Sequence, residues 1–368
     1  MARTAATVGA LTIVLTSCGL AATTSSALAP GIVPHARAEA VAAAAERPAA
    51  PAVFATTTEP LLQKVALAPA PAVVTKPTLA AASVGPMRHI WQSLNNCGPA
   101  SVVMALSTLG IEADQEEARL ALRGPDWRRG MSPAPVDGWV QRLYGLHAIW
   151  RNNGTNALIK TLIGNGFAPM VTQWMEDPSI SRIAHWRAVA GYDDREGVFY
   201  VNDPMRGRGV PLTYQWFDKN WQPFSYRYLV IYKPEDEAVL RAIVNADWSE
   251  RAMRQRFYER VRAEALERSD SSSWLAYGEA AYQNGVFAEA VSAFEKGLAL
   301  GSAEGVFTLR SSYPQALRAL GRDQDAAKAQ QQVNSVTAVP SAVAPPPDSL
   351  ALQLAIERLR FDASVFSR

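Results

Sequence analysis

Four side chains in this sequence have types and settings suited to covalent chemistry at a carbonyl: Gln92, Cys97, His185 and Asp203. Cys97 lies in Trp91-Gln-Ser-Leu-Asn-Asn-Cys-Gly-Pro-Ala-Ser101, a loop running into a helix. Pro99 suits a first helical turn, where a missing N–H costs nothing. Val102, Ala105, Leu106 and Leu109 recur at helical spacing, and Gly110 supplies the stop. The sulfur therefore sits among unsatisfied backbone N–H groups at the positive end of a helix dipole, a setting that favours thiolate. Five residues upstream, Gln92 offers an amide donor for an oxyanion.

A cysteine nucleophile needs a base, and the base needs an orienting group. His185 opens the apolar run His185-Trp-Arg-Ala-Val-Ala-Gly-Tyr192, and Asp203 follows the strand-like run Val198–Asn202, in Val201-Asn-Asp-Pro204. Between them Asp193-Asp-Arg-Glu-Gly197 reads as a hairpin turn. Pairing through that turn brings His185 and Asp203 to one end of the hairpin. Period-2 alternation can then place both on one face. Each residue also has a plain structural reading: an inert buried thiol, a satisfied strand histidine, and a turn aspartate before Pro204. Their joint occurrence in this order favours the chemical reading.

The elements around them form a mixed pattern. Asp114 caps a short helix to Leu122, and Ser132 to Tyr144 reads as another. Leu146–Arg151, Phe167–Trp174 and Tyr226–Lys233 read as strands, with a helix at Thr155–Ile163 closed by Gly164 and Gly166. Helices before strands point to an α+β fold, with helices packed on an antiparallel sheet. His89 and His147 read as structural. Trp91, Trp174 and Trp186 suit either a groove or a core.

The 368-residue chain carries 36 Lys and Arg against 34 Asp and Glu, a formal charge of +2. That balance gives no reason to expect nucleic acid as a partner. Two cysteines and four histidines supply no zinc spacing, and no cofactor is expected. The leader has Arg3, then an apolar run from Ala5 to Leu15, then Leu15-Thr-Ser-Cys18. This resembles a bacterial lipoprotein signal with Cys18 as the lipidated residue; cleavage after Ala29 in a plain secreted protein is the rival. The expected location is the outer face of the cell membrane, held by a lipid anchor only. With Cys18 acylated or removed, Cys97 is the one remaining thiol.

The expected organisation is a signal over 1–18, an Ala/Pro/Thr-rich linker over 19–84, and a globular domain over 85–233. A helical region follows over 234–335, then a Pro-rich break with a last helix over 336–368. Met253, Phe257 and Val261 mark the apolar face of a basic helix. Trp274, Gly278, Tyr282, Gly285, Ala290 and Phe294 resemble a tetratricopeptide repeat, and Ala316, Leu317, Gly321, Ala326 and Ala327 a degenerate second copy. A protein partner is expected there.

Taken together, Gln92, Asn95-Asn-Cys-Gly-Pro-Ala-Ser101, His185, Gly191-Tyr-Asp193 and Asn202-Asp-Pro204 resemble a papain-like cysteine peptidase. More narrowly they are similar to the bacteriocin-processing (double-glycine) peptidase family and its stand-alone relatives, over about Pro86 to Lys233. The resemblance implies Cys97 as nucleophile, His185 as base and later acid, Asp203 as its orienting group, and Gln92 with the Cys97 N–H as oxyanion donors. It implies hydrolysis of a peptide or protein substrate through a thioester. The leader-processing members precede a transporter's membrane domain, which is not seen here, so leader processing is not carried over. Acyl transfer on the same fold and an inert peptidase-like domain in an adaptor are the alternatives.

Overall fold

Short runs of β-branched and aromatic residues, closed by Gly and Asp turns, pair into one antiparallel sheet of seven strands. A computed structural model describes residues 75–76, 78–126, 130–177, 180–301 and 308–337. The strands are β1 (Ala81–Ser83), β2 (His147–Arg151), β3 (Met170–Asp177), β4 (Ile180–Asp193), β5 (Val198–Asp203), β6 (Gly207–Thr213) and β7 (Tyr228–Tyr232). Their order is β2-β7-β3-β4-β5-β6, with β1 on β4 beyond the end of β3. Every residue of Tyr228-Leu-Val-Ile-Tyr232 is buried, which accounts for its unbroken apolar run.

The helices of this part are α1 (Cys97–Ser107), α2 (Gln115–Leu122), α3 (Val136–Tyr144), α4 (Asn156–Gly164) and α5 (Tyr214–Trp221). Asp114 caps α2 by accepting from the Glu116 and Glu117 N–H groups, and Thr155 caps α4. The helix expected from Ser132 begins only at Val136, after Pro133 and Pro135. The strand expected from Phe167 begins at Met170, behind Pro169. Three elements go beyond expectation. Ala81–Ser83, inside the stretch read as linker, forms β1, and β6 with α5 occupies residues between the two expected last strands.

The helical region follows as α6 (Glu237–Val244), α7 (Glu250–Arg268), α8 (Ser271–Gln283), α9 (Phe287–Ala299), α10 (Leu309–Ala319) and α11 (Asp323–Thr337). Met253, Phe257, Val261 and Ala265 bury one face of α7. The α8–α9 hairpin closes on missing side chains. A Cβ on Gly278 would stand 2.6 Å from the Phe294 ring, and one on Gly297 would stand 2.8 Å from Leu275.

This region is bonded to the sheet domain. Asn153 donates to the Asp247 carboxylate at 2.8 Å, Arg151 to the Asp247 carbonyl at 2.9 Å, and Arg260 to the Gly154 carbonyl at 3.1 Å. Among the described residues no helix is long and apolar enough to cross a membrane. The leader with Cys18, the Pro340–Pro347 break and the expected last helix lie outside the described residues.

Candidate active site

Cys97 is the first residue of α1, and no side chain caps this helix end. Its first N–H groups are therefore free to serve an anion. The sulfur meets the backbone N–H groups of Gly98 and Trp186 and the imidazole of His185. Burial alone pushes the thiol up. The adjacent imidazole and the two N–H groups outweigh it and hold the thiol below its ordinary range.

The loop before Cys97 is fixed by partners from α2. Gln115 accepts from the Ser93 N–H at 2.8 Å and donates to the Trp91 carbonyl at 2.9 Å. Arg123, just past α2 and buried, donates to the Asn96 side chain at 2.8 Å and to the Leu94 carbonyl at 3.2 Å. Asn95 sits at φ 56°, a turn conformation that asparagine tolerates. Gly98 has no room for a side chain, since a Cβ there would meet Met131 at 2.6 Å.

His185 is fully buried, and its Nε2–H donates to Asp203 Oδ1 at 2.9 Å. Nδ1 makes no hydrogen bond of standard geometry, and the Cys97 thiol is the polar neighbour on that side of the ring. Burial alone pulls the imidazole down. The Asp203 carboxylate and the thiol outweigh it and lift the imidazole above its ordinary value. The two shifts run in the direction that favours a thiolate–imidazolium pair.

Asp203 is placed on the face of His185 by an irregularity. Near the turn Asp193 faces Val198, Tyr192 faces Phe199 and Gly191 faces Tyr200. Continued inward, that register would put odd positions of β4 with even positions of β5, leaving His185 and Asp203 on opposite faces. A bulge at Ala190 shifts the pairing by one, so that Val189 faces Val201 and Ala188 faces Asn202. Odd positions then meet odd positions, and His185, Arg187 and Asp203 share a face. Gln173, opposite His185 on β3, joins them. The Val84 N–H, just beyond β1, donates to the bulge carbonyl of Ala190 at 2.9 Å.

The carboxylate of Asp203 is saturated. Oδ1 accepts from His185 and from the N–H groups of Met205 and Arg206 at 2.8 and 3.0 Å, and Oδ2 accepts from Arg187 Nε at 2.8 Å. Burial alone would raise the acid, but His185, Arg187 and the turn N–H groups hold it far below the usual carboxylate range. His89 bonds the Asp203 carbonyl at 2.9 Å, and the Gln92 N–H donates to the Pro204 carbonyl at 2.9 Å. The Cys97 loop and the Asp203 turn are thereby tied together.

Cys97, His185 and Asp203, expected from three distant stretches, thus meet at one point. Gln92 is anchored beside the Asp203–Pro204 turn, with its Oε1 buried and without a partner. Cys18 lies outside the described residues. Of the three tryptophans, Trp186 is core, Trp174 packs edge-on against Phe224, and Trp91 is 42% exposed and packs edge-on against His89. The sequence reading missed Arg123, Gln173 and Arg187. For Arg187 a signal existed: a charge two places along an apolar strand from His185 shares its face. Among the described residues no group of three or more His, Cys, Asp or Glu is placed to hold a metal ion.

Residues 83–229 match the Peptidase_C39 like family, so the fold seen here is that of a C39-like domain followed by helices. No curated protein matches the chain. Two solved structures are similar. One is a C39-like peptidase candidate from Bacillus anthracis, 13% identical, covering 42% of this chain and 98% of its own, with a TM-score of 0.35. The other is a double glycine motif protease from an AMS/PCAT transporter, in complex with leader peptide. It is 22% identical, covers 41% of this chain and 94% of its own, and has a TM-score of 0.32.

Proposed function

We propose that the C39-like domain is a working cysteine peptidase. The carrying observation is the geometry of His185: Nε2 locked to Asp203 at 2.9 Å, with Nδ1 left toward the thiol of Cys97 at a helix N-terminus. In this reading the Cys97 thiolate attacks the carbonyl carbon of a peptide bond, and the oxygen takes the negative charge. The Cys97 N–H and the Gln92 amide stabilise that oxyanion. The imidazolium of His185 then gives its proton to the leaving nitrogen, the C–N bond breaks, and an amine departs from a thioester. Water attacks the thioester as His185 takes its proton. The C–S bond breaks, releasing a carboxylic acid and restoring the thiolate–imidazolium pair.

The substrate is a peptide or protein. The leader supports an exported protein held at the membrane by a lipid on Cys18, and the helical hairpins support a protein partner at their surface. Digestion of a peptide library tests the activity. The native protein is expected to yield products that the Cys97→Ala protein does not. Identical product lists from the two would leave an inert domain in an adaptor as the surviving reading.

A further inference from the structure

The position of Arg187 is unusual for a cation. It is fully buried in the middle of the sheet, directly across from the end of β5, with a carboxylate and a carboxamide as its partners. Nε donates to Asp203 Oδ2 at 2.8 Å and Nη1 donates to Gln173 Oε1 at 3.2 Å. Gln173 is itself fully buried and fixed by its Nε2 donating to the Phe217 carbonyl of α5 at 2.9 Å. The guanidinium lies 5.4 Å from the Trp216 ring centroid, again from α5. A chain of bonds thus runs from α5 through Gln173 and Arg187 to Asp203 and ends on His185.

A buried arginine loses its hydration, and its burial is tolerated only when an anion and further acceptors replace the water. Hydrophobic residues of similar volume would fill the site without that cost. A cation kept here therefore has an effect on its one anion, Asp203. The bond to Oδ2 stops the carboxylate rotating away from the ring. The same charge also opposes the positive form of His185 and favours the negative form of Cys97. These two influences work on opposite ends of the thiolate–imidazolium pair.

We infer that Arg187 is a positioning residue of the active site: through Asp203 it fixes the His185 ring, and its charge sets the pH window in which Cys97 is reactive. The inference rests on the peptidase reading above. Other charges act here: Cys97 from α1 and Arg206 from the β5–β6 turn on Arg187, Cys97 and Asp203 on His185, and Arg123 from the end of α2 on Cys97. His89 bonds the Asp203 carbonyl, from the loop after β1. All of them remain in place when Arg187 alone is replaced.

The test is the rate of Cys97 alkylation by iodoacetamide as a function of pH, in the full chain. Wild type is expected to show a low-pH limb below that of an ordinary thiol and a second limb where the imidazolium is lost. Arg187→Met removes the charge. Both limbs are expected to move to higher pH, the upper one by about one unit. Arg187→Lys keeps the charge and loses the fork. Its limbs are expected to stay, while turnover on a peptide cleaved by wild type falls about tenfold or more through loss of ring alignment.

Unmoved limbs in Arg187→Met, with a wild-type low-pH limb in place, would overturn this inference alone. A wild-type thiol that titrates ordinarily would instead overturn the peptidase reading. If Arg187→Met does not fold, Arg187→Lys decides: lowered turnover with unmoved limbs supports the role, and native turnover refutes it.

Discussion

The two halves of the described structure are specified in different ways. In the sheet domain, His185, Arg187, Asp203 and Gln173 are charged or polar, at most 1% exposed, and satisfied largely by one another. In the helical region the buried set is mostly apolar, and the fit depends on absent side chains at Gly278 and Gly297. Away from the buried Asp247 at the junction, ion pairs such as Arg322–Asp325 and Arg254–Glu250 lie on the surface. The contrast separates two kinds of fragility. Changes in the first half alter reactivity, because each buried group sets the charge state of the next. Changes in the second alter stability, because packing has no charge to transmit.

The largest break in that contrast comes from the site itself. His185→Ala is expected to lower peptide turnover by about a thousandfold or more, with the fold retained by circular dichroism. Deleting Ala190 makes the pairing regular but leaves Val189 opposite Val201, so Asp203 stays on the His185 face and Cys97 alkylation is expected to stay fast. Loss of activation in the deletion protein would contradict that register.

Packing substitutions should do the reverse. Gly278→Val drives a side chain into Phe294 and is expected to cost about 1–3 kcal/mol, read by denaturant melting. The folded fraction should keep its full turnover. Asp247→Ala, at the junction, strips the acceptor from Asn153 and Arg256 and is expected to cost about 1–3 kcal/mol. At the small end, Asp325→Ala on the exposed rim should leave melting unchanged within error.

Stability should also follow pH with opposite signs at the two buried ionisable groups. Asp203 is held low in the folded state, so its contribution is present above the ordinary carboxylate value of about 4 and fades on acidification. His185 is held high, so its contribution is complete below about 6.5 and is lost as pH rises through the folded value. Melting temperature measured across pH should therefore peak between these limits. Asp203→Asn should flatten the acid side.

Much of this was legible from residue order alone. Cys97 before Pro99 marked the helix start, Asp114 acted as a cap, and Trp274 to Phe294 traced a helical hairpin. These signals are local, and local chemistry survives folding. What was not legible depends on long-range register. The bulge at Ala190 leaves no mark in the run Ala188-Val-Ala-Gly191, yet it decides which face Asp203 occupies. β1 and β6 are short edge segments, and β6, with Pro211 and two glycines, lacks an apolar pattern. Arg123 reads as one more surface charge until the Asn96 loop is found folded onto it.

The central claim is that an imidazole held by Asp203 keeps the sulfur of Cys97 ionised. Iodoacetamide labelling at about pH 6, compared between wild type and His185→Ala, tests it with no knowledge of the substrate. Wild type should react at least about tenfold faster than the variant. Equal rates would mean that the thiol and the ring do not act on each other, and the account would fail.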